Sequence, residues 1–100
     1  MPKLTELAAT IIDFVATEFE VPKEMILSKS RNAEAVDARH VAAMILYRSG
    51  IYVSRIAEIL RVSPRYVQYI VTDFEDRLLC NRHLRMTYER VLARFTPGSV

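Results

Sequence analysis

Glycine is nearly absent from this chain, Gly50 and Gly98 being the only two. The four prolines stand near the ends of apolar segments, so almost nothing interrupts long helical patterns. Two glycines also exclude a glycine-rich phosphate loop ending in Lys-Ser/Thr, so no nucleotide cofactor is expected. The single cysteine, Cys80, cannot form an internal disulfide, and its apolar surroundings predict a buried structural thiol, compatible with a reducing compartment. Uncharged stretches approaching the ~20 residues needed to cross a bilayer are missing as well. The first residues carry Glu6 and Asp13 within their apolar pattern, so a soluble, cytoplasmic protein is expected. Surplus charge is lacking too: a net +2 does not by itself advertise a nucleic-acid partner.

What is present is apolar side chain, 51% of 100 residues, which suits one core because two would each be too small to offset their chain entropy. We expect one all-α domain over residues 1–96 and a short tail at 97–100. The charge is unevenly spread. Residues 1–27 hold two Lys against five acids, residues 28–67 seven Lys or Arg against three, and residues 68–100 five Arg against four. Positive charge gathered in the middle is what a phosphate-facing surface needs, although a solvated helix face can look the same.

Leu4, Leu7, Ala8, Ile11, Ile12, Val15 and Phe19 recur at three- and four-residue intervals, predicting a core-facing helix from about Pro2 to Glu20. Pro22 opens a short turn of helix, and a polar, basic loop follows from Ser28 to Asn32. A second long helix is predicted from Ala33 to about Arg48, stopped at Ser49 and Gly50. Val53, Ile56, Ala57 and Leu60 mark a short amphipathic helix. Ser63 and Pro64 then supply a capping hydroxyl and a preset first-turn dihedral for a helix that keeps phase through Val67, Ile70, Val71, Phe74 and Leu78 to about Asn81. A last helix, about His83 to Phe95, is marked by Leu84, Tyr88, Val91, Leu92 and Phe95.

Residues 53 to 74 therefore read as a short helix, a tight turn and a longer helix, the helix-turn-helix arrangement that puts the first turns of its second helix into the DNA major groove. With Val67, Ile70 and Val71 facing inward, Arg65 and Gln68 share one outward stripe, where their donors and acceptors can meet base edges. Tyr66 and Tyr69 lie on a neighbouring stripe, either as core rim or with their hydroxyls on DNA. Asp73, Glu75 and Asp76 form a solvated acidic face that phosphates should avoid, which limits contact to the N-terminal turns.

The run "ILSKSRNAEAVDARHVAAMIL" followed by "VSRIAEILRVSPRYVQYIV" resembles the C-terminal origin-binding domain of the bacterial replication initiator DnaA, over about residues 8 to 74. The parts that carry the resemblance are "SKSR" at Ser28 to Arg31, Ala38 and Arg39 with Ala42, and "IAEIL" at Ile56 to Leu60. It implies a helical bundle containing a helix-turn-helix, with the basic loop approaching the minor groove and backbone. By position, Arg31 resembles the basic-loop arginine and Lys29 a neighbouring phosphate contact, while Arg65, Tyr66 and Gln68 occupy the start of the recognition helix. The family's Arg-Asp-His-Ser/Thr-Thr-Val run falls on Val62, Ser63, Pro64, Arg65, Tyr66 and Val67, and only the valine is kept. Without that arginine, acid and histidine, a different DNA target is expected.

The last helix lies beyond the resemblance and either completes the core or makes a homodimer seam, with Arg85, Arg90 and Arg94 beside its apolar stripe. Cys80 and His83, three apart, fall short of the four ligands structural zinc takes, and no metal is expected. His40 reads as a satisfied core or rim histidine without a paired nucleophile, and Arg39 as a partner for Glu34 or Glu58. No enzyme is expected. The expected function is cofactor-free binding of double-stranded DNA, possible in replication or its regulation: Arg65, Tyr66 and Gln68 toward base edges, and Lys29, Arg31, Arg48, Arg61 and Tyr69 toward phosphates. The rival is a protein-interaction module that kept the bundle and lost DNA recognition.

Overall fold

The computed structural model describes residues 4–95, and among these the regular structure is entirely helical. Six helices follow in chain order: α1 Leu4–Phe19, α2 Lys23–Ile26, α3 Ala33–Arg48, α4 Val53–Leu60, α5 Pro64–Cys80 and α6 Arg82–Phe95. The expected start of α1 at Pro2 and the tail at 97–100 lie outside the described residues.

The helix α3 is the axle of the bundle and packs against each of the other five. Its composition explains why. Alanines at 35, 38, 42 and 43 let neighbouring backbones come close, and Val41, Ile45 and Leu46 fill the remaining space, so that Ala35 and every residue from 38 to 46 is buried. Asn32 caps it, its side-chain oxygen accepting from the backbone N–H of Glu34 at 3.0 Å and of Ala35 at 3.3 Å. At the other end Gly50 takes a left-handed φ of 92°, and the Ile51 N–H closes back on the Leu46 carbonyl at 3.2 Å.

The same closure ends α4, but there the left-handed residue is Arg61, with φ 62° and ψ 42°, and the Val62 N–H returns to the Ala57 carbonyl at 3.0 Å. Ser63 then accepts the Tyr66 N–H at 3.1 Å, and Pro64 starts α5. Three residues thus separate α4 from α5, which pack together through Ile56, Ala57 and Leu60 on one side and Val67, Ile70 and Phe74 on the other.

Sequence alone left the role of α6 open, and the structure gives it to the core. Leu84, Thr87, Tyr88 and Val91 are buried against α1, α3 and α5. Tyr88 stacks edge-on against Phe74, centroids 4.9 Å apart, and Phe95 against Phe14 at 5.6 Å. Two of its arginines bind the first helix: Arg90 donates to Glu18 at 2.8 Å, and Arg94 lies 5.3 Å from the centre of the Phe14 ring. Cys80 corrects the expectation of a buried thiol, since it is exposed. The inward stripe of α5 passes through Phe74 and the half-buried Leu78, and two further residues at ~100° each turn Cys80 away from it.

Candidate nucleic-acid interface

The basic loop between α2 and α3 is stitched by its own short polar side chains. Ser28 donates to the Met25 carbonyl at 3.0 Å, the Ser30 N–H donates to Ser28 Oγ at 3.1 Å, and the Asn32 N–H to Ser30 Oγ at 3.3 Å. Because alternate positions serve the backbone, the two residues between them, Lys29 and Arg31, are left exposed. That alternation is visible in "SKSRN" and marks a loop carrying two exposed cations.

Arg39 anchors the loop from below. It is buried, at 4% exposure, and pairs with neither Glu34 nor Glu58 as the sequence had suggested. Instead Nε donates to the Ile26 carbonyl at 2.8 Å, and Nη2 to the carbonyls of Met25 at 2.9 Å and Ser30 at 3.2 Å. The Ile26 and Ser30 carbonyls are ones that the end of α2 and the loop leave without helical partners, Met25 is shared with Ser28, and a planar guanidinium can meet all three together.

The next residue on α3, His40, does the same for α5. Its Nε2 lies 3.0 Å from the Tyr66 hydroxyl and its Nδ1 2.7 Å from Arg77 Nη1, while Arg77 Nη2 donates to Asp37 Oδ1 at 2.6 Å. Burial and then the Arg77 charge hold the imidazole neutral, its pKa lowered to about 4, against the opposing pull of Asp37. One turn of α3, residues 37 to 40, therefore fastens the basic loop through Arg39 and α5 through Asp37 and His40.

On α5, Arg65 and Gln68 are exposed, as an outward reading stripe requires. Gln68 donates to the Thr72 hydroxyl at 3.3 Å, which steadies the side chain and leaves its amide oxygen unused by that bond. The two tyrosines part company. Tyr69 is 57% exposed, whereas Tyr66 is half-buried, its ring edge-on to His40. Arg61 is exposed in the turn itself. Arg48 is exposed too, but it stands at the far end of α3, a rise of about 24 Å from Asn32, where its charge acts on the Tyr88 phenol. Burial raises the Tyr88 pKa, and Arg48 partly offsets this. Glu75 and Asp76 are exposed farther along α5, which leaves its N-terminal turns as the cationic end.

Two helices joined by three residues, the second opening with exposed Arg65 and Gln68, make a helix-turn-helix arrangement. Residues 8–62 match the family described as the bacterial DnaA protein helix-turn-helix, and the chain belongs to that family. The match stops at Val62, short of the Ser63 cap and all of α5, although the resemblance read from the sequence ran to about residue 74. Comparison with curated proteins gave no match. Among the described residues no helix is long and apolar enough to cross a membrane, and no group of three or more His, Cys, Asp or Glu side chains is placed to hold a metal.

Proposed function

We propose that this domain binds double-stranded DNA with the first turns of α5 in the major groove and the Ser28–Asn32 loop on the neighbouring backbone and minor groove. Arg65 and Gln68 approach base edges with Tyr66 beside them; Lys29, Arg31 and Arg61 engage phosphates, with Tyr69 and Arg48 as outlying contacts. The observation that carries this reading is the shared anchor on α3, which ties the cationic loop and the start of the recognition helix to consecutive residues, Arg39 and His40. The domain acts without hydrolysing ATP and without metal or cofactor. Its target differs from the initiator's usual box, because the residues at Val62–Tyr66 are different and the family match ends there. A cytoplasmic role in replication or its regulation is the setting that the family supports.

Gel shifts over a salt series with selected and unrelated duplexes test the assignment. Replacing Arg65 or Gln68 by Ala is expected to relax sequence preference by about 1–3 kcal/mol, while Lys29→Ala weakens all duplexes alike and reduces the salt slope by about 1. Equal losses on every duplex for all three variants would refute the base-reading roles.

The end of the family match ahead of α5 favours one second reading, an interaction module that kept the bundle and exchanged DNA for a protein partner. It predicts partner binding that salt leaves unchanged. Homodimerisation through α6 is a separate proposal, for which the 49% exposed Met86 is the available apolar contact on that helix; a sedimentation weight of one chain would exclude it.

A further inference from the structure

Asp37, Arg77, His40 and Tyr66 form a line of side chains across α3 and α5, and the direction of each hydrogen bond follows from what each group can do. A guanidinium only donates, so the His40 Nδ1 that faces Arg77 Nη1 at 2.7 Å must offer its lone pair. A neutral imidazole with a bare Nδ1 carries its proton on Nε2, and that proton points to the Tyr66 oxygen 3.0 Å away. The phenol oxygen is therefore an acceptor inside the protein. Its own O–H has no acceptor among the described residues. A tyrosine free to rotate offers a partner either a lone pair or a proton; here one lone pair is engaged by His40, which turns the O–H outward as the group a partner meets first.

Resting on the DNA-binding reading above, we propose that Asp37, Arg77 and His40 are positioning residues that hold Tyr66 with its hydroxyl proton presented to a backbone phosphate of duplex DNA. A phosphate oxygen only accepts, so the relay favours the half of the hydroxyl's behaviour that a phosphate can use. Tyr66 belongs to the backbone contacts rather than to base reading because its half-buried ring turns toward α3, away from the exposed stripe of Arg65 and Gln68. Asp37 completes the line by balancing the Arg77 charge at 2.6 Å, so the guanidinium keeps its aim at His40.

The test is a double-mutant cycle read by affinity for a selected and an unrelated duplex, with thermal melting of every variant. Tyr66→Phe and His40→Leu should each weaken both duplexes by roughly tenfold or more, the scale of a hydrogen bond to a charged group, and the double variant should be no weaker than either single one. His40→Gln should retain binding, since its amide can accept from Arg77 and donate to Tyr66. Nitrogen-15 spectra of the imidazole should show the proton on Nε2. Additive losses, a loss confined to the selected duplex, or a proton on Nδ1 would overturn the relay. Should His40→Leu fail to fold, Tyr66→Phe decides alone, and wild-type affinity in that variant overturns the proposal. A wild-type protein that binds no duplex overturns the DNA reading and the relay together, whereas a binding wild type with an indifferent Tyr66→Phe removes only the relay.

Discussion

Arg39 is a buried cation with no carboxylate partner among the described residues, and its three backbone carbonyls explain how the core tolerates it. Removing the guanidinium strands the Ile26 carbonyl in a buried place and takes a partner from the carbonyls of Met25 and Ser30. Arg39→Met should therefore cost about 3 kcal/mol in urea denaturation, and it should weaken DNA binding beyond that by freeing the loop. Unchanged stability would contradict the anchoring role. His40 sets a pH dependence. In the unfolded chain it takes up a proton near pH 6.5, but the folded site resists until about 4. Between those values the unfolded state binds more protons, so stability is full above pH 6.5 and falls toward pH 4, by up to about 3 kcal/mol. Denaturation at stepped pH should show this loss in the wild type and a shallower one in His40→Gln; identical slopes would remove His40 from the account.

At the scale of elements, local chemistry was the readable part. Three- and four-residue apolar spacing placed α1, α4, α5 and α6 to within a few residues, composition and the Ser49–Gly50 stop placed α3, and Ser63 with Pro64 announced the start of α5, because caps and periodicity are decided within a few residues of chain. The links between elements were not readable in the same way. Arg77 meets Asp37 and His40 across 40 and 37 positions, so no spacing rule connects them, and Arg39 was given acidic partners because carbonyl acceptors leave no mark in a sequence. The α4 closure carries its own prediction. Gly50 ends α3 in a left-handed conformation that glycine adopts freely, while Arg61 holds the same kind of position at a steric cost. Arg61→Gly should accordingly stabilise the fold by about 1 kcal/mol in thermal or urea melts, and under the proposed phosphate role of Arg61 it should weaken DNA binding. Tighter binding by that variant would show that the arginine is not there for DNA.

Over the whole molecule, 36 × 33 × 25 Å in extent, the long dimension is close to the ~34–36 Å of one turn of B-form DNA, so one domain can reach a major groove and the backbone beside it. The net charge of +2 conceals how the cations are placed: Lys29, Arg31, Arg61 and Arg65 are exposed on the loop and the helix-turn-helix, while Glu75 and Asp76 stand farther down α5. The measurement that bears most directly on this arrangement is a map of backbone amide shifts as a selected DNA duplex is added to the labelled protein. The account predicts that residues 28–32 and 63–69 shift together, at one duplex concentration, with the α6 amides nearly still. Shifts confined to α6 and the end of α5, or a loop that stays silent while α5 responds, would contradict a single duplex touching both segments.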